Sequence, residues 1–334
     1  MSEVMIEAHG LTKRYEDFVA LDGVDMSVRR GEVLGFLGPN GAGKSTTMKI
    51  LTCYTAPSAG TAKVHGYDIF DNSLEVRQSI GYLPESTALY SDMLVLEYLQ
   101  FMAEMRGIRG KQRTDRVRKV IEETHLEQVF AKEIRTLSKG YKQRVGLAQA
   151  LIHEPPILIL DEPMSGLDPN QAVEIRDLIK DIGRSRTVIL STHNLAEVQV
   201  ACDRVLIIAK GRIVADDTPQ GLLARSGKPR FLVALQQNDD TTAQACAEAL
   251  GQLPAVDSVR LVDAAQPGEW HYEVLPETDE DLRAPLFQAA VTHGYTLLGL
   301  RREGHNLEQV FRELTTTTGM TADSNPLSAL DAAE

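Results

Sequence analysis

The chain has 334 residues, more than a single domain usually has, which predicts one large domain and a smaller one. Its 43% hydrophobic and 25% charged residues are typical of a globular protein. Its formal net charge of -12 argues against a protein that binds nucleic acid through its overall field, because contacts to phosphate require clustered positive charge. No stretch approaches the roughly 18 consecutive apolar residues of a membrane-spanning helix, and the acidic start MSEVMIEAHG lacks the basic and apolar regions of a signal peptide, so we expect a cytosolic protein.

The first strong motif follows a predicted strand over 32–38, EVLGFLG, and leads into a predicted helix that starts KSTTMKIL. The eight residues from 38 to 45 fit G-x-x-x-x-G-K-[ST], a loop whose backbone N–H groups turn inward around phosphate and whose following helix adds its positive end. We predict that Lys44 reaches the β- and γ-phosphates of ATP and that the Ser45 hydroxyl ligates Mg²⁺. The predicted nucleotide-binding residues of this segment are Gly38, Pro39, Asn40, Gly41, Ala42, Gly43, Lys44, Ser45 and Thr46.

Two further segments carry signals in the first part of the chain. Residues 86–130 have apolar positions at helical spacing, which predicts helices, and we expect the basic stretch at 106–119 to be a solvated helix face. The apolar run ILIL at 157–160 predicts a strand of a parallel sheet, which would place Asp161 and Glu162 beside the phosphate loop. There Asp161 would hold Mg²⁺ and Glu162 would activate water as a general base, although two carboxylates after an apolar run are also common as a solvated strand end.

A Gly- and Pro-containing basic link near 224–230 predicts a domain boundary, so we place the first domain at 1–225. Beyond it we predict a strand at 230–236, a helix at 241–252, strands at 256–263 and 269–275, a helix at 279–293 and a strand at 295–302. This βαββαβ order predicts a small α+β ferredoxin-like domain over 230–315, which includes a short last helix at 306–314. The tail at 316–334, rich in Thr, Ser, Asp and Ala, is expected to be disordered.

The sequence resembles the ATP-binding subunits of ABC transporters over about residues 4–222. LSKGYKQR at 137–144 is similar to the family's signature motif, SGLDP at 165–169 to its D-loop and STHN at 191–194 to its switch-histidine motif. IGYLPE at 80–85 is similar to its Q-loop, and Tyr15 stands where the family has an aromatic that stacks on adenine. Taken alone, His193 would more often be a structural histidine, and Tyr15 a core or edge-strand aromatic. The functional interpretation of both residues rests on the order of the six motifs.

The resemblance implies a P-loop NTPase domain of the α/β class, with a mostly parallel core sheet, an antiparallel β-subdomain and a helical subdomain that carries the signature motif. It implies that Ser138 and Gly140 close over ATP bound by a partner chain, in a homodimer or in a heterodimer with a similar subunit. It also implies that His193 contacts the γ-phosphate, as a catalytic residue beside Glu162. The predicted Mg²⁺ ligands are Ser45, Glu85 and Asp161.

Two of the motifs depart from the family's pattern. Glu85 replaces the usual Gln, and a carboxylate can still ligate a metal while it adds negative charge near the phosphates. In the signature motif Lys139 and Tyr141 replace the usual Gly and Gln, while Ser138 and Gly140 remain. We expect ATP hydrolysis to survive both changes.

The motifs and the extra C-terminal domain are most similar to the ATPase subunits of bacterial ABC-2-type exporters, including the gliding-motility-like branch. The predicted function is ATP hydrolysis coupled to transport by separate integral-membrane permease subunits, which hold the chain at the inner face of the cell membrane; no nucleic-acid partner is expected. Two alternatives stay open: a soluble ABC ATPase that acts on ribosomes or DNA, and a regulatory module that binds nucleotide without efficient hydrolysis. We expect the C-terminal domain to brace a dimer, against the alternatives of a ligand sensor or a cargo-related module.

Overall fold

The computed structural model describes residues 3–224, 229–237, 241–262, 268–278, 280–303 and 307–317. The chain divides into two compact units, one formed by Met1–Pro219 with Phe311–Glu334 and the other by Gln220–Val310. Most of the predicted link, residues 225–228, and the greater part of the predicted disordered tail, residues 318–334, lie outside the described residues.

Alternating strands and helices make up the first unit, as the predicted α/β class requires. In chain order they are β1 (Val4–Tyr15), β2 (Phe18–Arg29), β3 (Val33–Leu37), α1 (Lys44–Leu51), β4 (Ala59–Val64), β5 (Tyr67–Asp68), α2 (Ser73–Ser79), β6 (Ile80–Leu83), α3 (Val95–Met105), α4 (Gly110–Glu123), α5 (Lys139–Leu151), β7 (Ile157–Asp161), α6 (Pro169–Gly183), β8 (Thr187–Thr192), α7 (Leu195–Ala201), β9 (Arg204–Ala209) and β10 (Arg212–Asp217).

A six-stranded core sheet has the order β10-β9-β3-β8-β7-β6. All neighbouring strands in it are parallel except β10, which pairs antiparallel with β9 at one edge. Every residue of β3 and of β7 is buried, which is why both read as continuous apolar runs rather than as alternating patterns. The predicted mostly parallel core sheet is confirmed.

A second, antiparallel sheet has the order β2-β1-β4-β5. Its buried side chains belong to the same hydrophobic core as those of α1 and of one face of the core sheet; examples are Ile6 and Val24 from this sheet, Met48 from α1, and Phe36 and Ile159 from the core sheet. Helix α1, which follows the phosphate loop, is therefore anchored by the core that the two sheets share.

The helical part between β6 and β7 is less continuous than predicted. Only Val95–Met105 and Gly110–Glu123 of the interval 86–130 are helical. The segment before α3 starts with Pro84 and pairs through Leu94 with Glu133, and the stop after α3 coincides with Gly107 at a φ of 80°. Within the described part of the chain, no helix has the length and apolar character that crossing a membrane requires.

The remaining elements are α8 (Pro219–Ala224), β11 (Arg230–Gln236), α9 (Ala243–Gly251), β12 (Val256–Val262), β13 (Glu269–Pro276), α10 (Arg283–Thr292), β14 (Leu297–Glu303) and α11 (Leu307–Thr317). The sheet order β12-β13-β11-β14, with every pair antiparallel, is that of a ferredoxin-like βαββαβ fold and confirms the predicted fold class. Its core includes Phe231 and Tyr272 from the sheet and Leu250 and Leu286 from the two helices. Helix α10 starts at 283 rather than at 279, and Pro285 lies in its first turn, where the missing N–H costs nothing.

Candidate nucleotide-binding site

The candidate site lies at the edge of the core sheet where four adjacent parallel strands end. β3 leads into the phosphate loop, β6 into Glu85, β7 into Asp161 and Glu162, and β8 into His193. Because the strands are parallel, their C-terminal ends meet at one edge, which is where such sheets bind ligands. The fold thereby collects side chains that are far apart in the sequence.

In the loop between β3 and α1, two residues have a backbone conformation that glycine adopts readily and other residues rarely adopt. Gly43, at the start of α1, has a φ of 112°, and a Cβ there would lie 2.6 Å from Leu21 Cδ2 and 2.7 Å from Ala20 O. Gly41 has a φ of 78° with open space around it. Helix α1 has no side-chain hydrogen bond at its N-cap. Its first backbone N–H groups therefore remain for an anion such as phosphate.

Lys44, Glu162 and His193 form a continuous set of close polar contacts. Lys44 Nζ donates a hydrogen bond to Gly38 O at 2.8 Å and lies 3.4 Å from Glu162 Oε1. His193 Nδ1 lies 2.9 Å from Glu162 Oε2 and donates to it when Nδ1 carries the proton. Lys44 is 6% exposed and Glu162 7% exposed, so each compensates the cost of burying the other's charge. Glu162 Oε1 has no hydrogen-bond partner among the described residues, which leaves it as an acceptor for a water or a ligand.

Glu162 has an unusual backbone conformation, with a φ of 50°. Such a left-handed conformation costs a residue other than glycine about 1–3 kcal/mol, and it occurs preferentially at functional sites. Two backbone bonds hold the turn: Glu162 N donates to Ser191 O at 3.0 Å, and Ser165 N donates to Glu162 O at 3.0 Å. The strain is thus maintained by the neighbouring strand and by the loop that follows.

Asp161 is buried next to this turn. Its Oδ1 accepts a hydrogen bond from Ser191 Oγ at 2.5 Å. Burial, and after it the charge of Asp161, raise the pKa of the Tyr82 hydroxyl above its usual range. Tyr82 and Asp161 therefore interact electrostatically, across the β6–β7 pair of the sheet.

A cavity of about 440 Å³ lies over these groups, a size within the range of small-molecule sites. Gly38, Ala42 and Asp161 do not contribute to its wall. Sequence reasoning missed three residues that do: Ser165, which starts the quoted SGLDP motif, and Phe18 and Ala20, which no motif marks. Most of the predicted site residues line it, namely Pro39, Asn40, Gly41, Gly43, Lys44, Ser45, Thr46, Glu85, Glu162 and His193.

Tyr15, the predicted base-stacking residue, is not in the cavity wall, whereas Phe18 is. The two residues are partners across the turn that joins β1 to β2, and their exposed fractions are 46% for Tyr15 and 60% for Phe18. Lys13 Nζ lies over the Tyr15 ring, 5.1 Å from its centroid. Phe18 therefore offers an exposed apolar ring at a polar cavity, a surface on which a nucleotide base can stack.

Ser138 and Gly140 lie apart from this cavity. Ser138 is the N-cap of α5, and its Oγ accepts from Tyr141 N at 3.4 Å. Gly140 packs on Gln171 of α6, since a Cβ at position 140 would lie 2.8 Å from Gln171 Oε1. Both residues line a second cavity of about 190 Å³. Within one chain, the fold does not bring them to the phosphate loop's cavity.

Oxygen donors suited to a divalent cation are present at the site. Ser45 and Glu85 line the cavity, and Asp161 directly precedes Glu162. Among the residues that the structure describes, no cluster of three or more His, Cys, Asp and Glu side chains could hold a metal. Ser45, Glu85 and Asp161 offer one hydroxyl and two carboxylates, a donor set that fits Mg²⁺, which takes one or two carboxylates and completes its shell with phosphate oxygens and water.

The sequence of this chain is similar to those of known proteins. The family model described as ABC transporter matches residues 21–165. The probable multidrug ABC transporter ATP-binding protein YbhF of Escherichia coli (strain K12) is 38% identical over 244 residues, which are 73% of this chain and 41% of YbhF. The linearmycin resistance ATP-binding protein LnrL of Bacillus subtilis (strain 168) is 31% identical over 315 residues, which are 94% of this chain and 99% of LnrL. The match thus spans less than half of YbhF but nearly all of LnrL.

Similarity extends to solved structures. A dimeric structure of a post-hydrolysis state of the ATP-binding cassette MJ0796, bound to ADP and Pi, has a TM-score of 0.59 and 25% sequence identity to this chain. The similarity covers 64% of this chain and 99% of that chain.

Proposed function

The chain belongs to the ABC transporter ATP-binding proteins, and from this premise we propose that it is the ATP-hydrolysing subunit of an exporter. Closure and reopening of a dimer, driven by nucleotide, would move a substrate through separate membrane-spanning subunits. The observation that carries the proposal is the buried Glu162 carboxylate, 2.9 Å from His193 and 3.4 Å from Lys44, in the wall of a cavity that contains the phosphate loop. The names of the relatives, which refer to multidrug and linearmycin resistance, support export as the direction.

ATP would lie with its phosphates over the loop at 38–45. The free N–H groups at the start of α1 and the Lys44 ammonium supply the positive potential that a triphosphate needs. The base would then lie toward Phe18, at the β1–β2 hairpin, with Tyr15 as its neighbour on the same turn. Ser45, Glu85 and Asp161 would hold Mg²⁺, which supplies positive charge to the phosphate oxygens when it is bound.

Glu162 would orient the attacking water and take its proton. The water oxygen forms a new bond to the γ-phosphorus, the bond from that phosphorus to the β–γ bridging oxygen breaks, and ADP keeps the electron pair. Glu162 Oε1, which lies 3.4 Å from Lys44 Nζ but accepts no hydrogen bond among the described residues, is the acceptor available to such a water. His193, bonded to the other oxygen of the same carboxylate, would contact the γ-phosphate and report its presence.

Pairing of two chains would complete each site. Ser138 and Gly140 lie at the N-terminus of α5, where a helix attracts phosphate, and in a separate cavity from the phosphate loop of their own chain. We therefore place them over the nucleotide of a partner, in a homodimer or in a heterodimer with a similar subunit. The dimer would be cytoplasmic and attached to the inner face of the membrane through integral-membrane permease subunits.

Two variants separate nucleotide binding from hydrolysis. Glu162→Gln keeps the side chain's shape but cannot take a proton, so we expect unchanged ATP affinity and phosphate release about 10²-fold slower than in the wild type. Lys44→Ala removes a charge from the phosphates and should weaken ATP binding about tenfold or more. Titration with a fluorescent ATP analogue and a phosphate-release assay with Mg²⁺ measure the two effects.

Unchanged phosphate release from Glu162→Gln would remove Glu162 from the role of general base, and wild-type ATP affinity in Lys44→Ala would contradict the placement of the phosphates. A nucleotide-binding switch is the second candidate, because Glu85 adds a second carboxylate to the cavity wall. Negligible phosphate release by the wild-type chain together with its membrane partner would favour the switch over the motor.

A further inference from the structure

One side chain holds the loop of His193 from both sides. β8 ends at Thr192 and Asn194 is the N-cap of α7, so His193 alone connects the strand to the helix cap. Thr192 Oγ1 donates a hydrogen bond to Glu197 Oε2 at 2.7 Å, and Asn194 Nδ2 donates to Glu197 Oε1 at 3.1 Å. Glu197, in the first turn of α7, therefore bonds both residues that flank His193.

The arrangement differs from the common capping box, in which the acidic side chain at the third helical position accepts from the backbone N–H of the N-cap. Here Asn194 N donates to Thr192 Oγ1 at 3.0 Å, and Asn194 Oδ1 accepts from Ala196 N at 3.0 Å. The start of α7 is thus capped without a bond from Glu197 to the backbone. Its carboxylate is bonded to the side chains on either side of His193 instead.

We infer that Glu197 is a positioning residue that fixes His193 against Glu162. The His193 side chain is 55% exposed, so contacts of the ring alone do not fix it, and its place depends on its backbone. Its contact with Glu162 Oε2 at 2.9 Å would be lost if that backbone moved by about 1 Å, because hydrogen bonds weaken steeply with distance and angle. The inference rests on the proposed function, in which His193 acts on the γ-phosphate.

The environment of Glu197 supports this assignment. The side chain is partly buried, and burial raises the pKa of its carboxyl, the hydrogen bond from Thr192 lowers it, and the charge of Glu162 raises it again. A glutamate without a role in the loop would avoid this burial by turning to solvent. The two hydrogen bonds hold it in place and connect α7 to the end of β8.

Replacement of Glu197 by alanine tests the inference. We expect kcat for phosphate release to fall about tenfold to a hundredfold, while affinity for ATP stays within about twofold of the wild type, because the phosphate loop is untouched. Glu197→Gln should restore most of the rate, since its amide can still bridge Thr192 and Asn194. Thr192→Val, which keeps the buried volume but removes the hydroxyl, should lower kcat as Glu197→Ala does, and the double variant should be no slower than either single one.

A purely structural role predicts different results. Thr242→Ala removes the N-cap hydroxyl of α9, which accepts from Ala245 N at 3.2 Å, and serves as the matched control for the loss of a helix-start hydrogen bond. We expect it to leave kcat unchanged. The decisive comparison uses the His193→Ala background, where Glu197→Ala should cause no further loss of turnover, because the residue that it positions is gone.

Three outcomes overturn the inference: a wild-type kcat in Glu197→Ala, an equal fall in ATP affinity and kcat, or an added loss in the His193→Ala background. Failure of the proposed function is distinguishable from these. Wild-type turnover in His193→Ala itself would remove His193 from the reaction, and with it the reason for positioning it.

Discussion

Replacement of Phe18 by alanine tests where the base of ATP lies. Phe18 lines the cavity and is 60% exposed, so its truncation should change the free energy of unfolding by less than about 0.5 kcal/mol. Stacking of a base on an aromatic side chain contributes about 1–3 kcal/mol, as measured by alanine substitution. Since each 1.4 kcal/mol is a factor of ten, we expect the Kd for ATP to rise about 5- to 150-fold. Titration with ATP, by calorimetry, measures the change.

Inorganic tripolyphosphate and Tyr15→Ala are the matched controls. Tripolyphosphate has no base, so its affinity should be equal in the wild type and in Phe18→Ala. Tyr15 is the partner of Phe18 across the same turn but lies outside the cavity wall, so Tyr15→Ala should lower ATP affinity less than Phe18→Ala. If Tyr15→Ala weakens ATP binding and Phe18→Ala does not, the base stacks on Tyr15 and the placement argued from the cavity is refuted.

Two further predictions concern the phosphate loop and a partly buried histidine. Gly43→Ala places a Cβ 2.6 Å from Leu21 Cδ2 at a φ of 112°, so it should lower ATP affinity and should lower the free energy of unfolding by about 1–3 kcal/mol. Gly41→Ala, which has open space around the new Cβ, should lower the free energy of unfolding less. Equal urea midpoints for the two variants would contradict this prediction. Burial, and after it the charge of Arg106, lower the pKa of His153 to about 4, so the folded chain binds fewer protons than the unfolded chain, in which the value is about 6.5. The free energy of unfolding should therefore decrease by about 2 kcal/mol as the pH falls from 6.5 to 4, a figure that allows for the partial exposure of His153. In His153→Gln, the free energy of unfolding measured in urea should depend less on pH.

The central strands and the phosphate loop could be predicted because their signals are local. β3 and β7 are fully buried, and a strand covered on both faces leaves a continuous apolar run in the sequence. The loop between β3 and α1 needs glycine at defined positions, which appears as a spacing pattern. The order of strands and helices after residue 230 likewise fixed the ferredoxin-like topology, because few connections of βαββαβ pack well.

Residues that the topology brings together leave no such pattern. Phe18 reaches the cavity because β2 pairs with β1 and because Ala20, two residues further along β2, lies beside Gly43, 23 positions away in the sequence. Glu197 is ordinary as a sequence feature, an acidic residue in the first turn of a short helix. The bonds to Thr192 and Asn194 that distinguish it are visible only in the structure. The helix predicted at 86–94 does not form: the apolar spacing there does not mark a face packed on the core, since no residue of the segment is buried and Tyr90 is exposed.

The adjacent carboxylates Asp161 and Glu162 show how local sequence and folded structure together place a site residue. In an extended strand, successive side chains point to opposite faces, so a straight continuation of β7 would separate the two acids. The left-handed backbone of Glu162, with a φ of 50°, ends the strand at that residue, and the Glu162 side chain contacts Lys44 and His193 while Asp161 stays bonded to Ser191. This turn directs Glu162 toward Lys44 and His193, which fits the proposed function, in which Asp161 would hold the metal and Glu162 would hold the water. The cost of that strain, about 1–3 kcal/mol, is consistent with a position selected for its geometry rather than for stability.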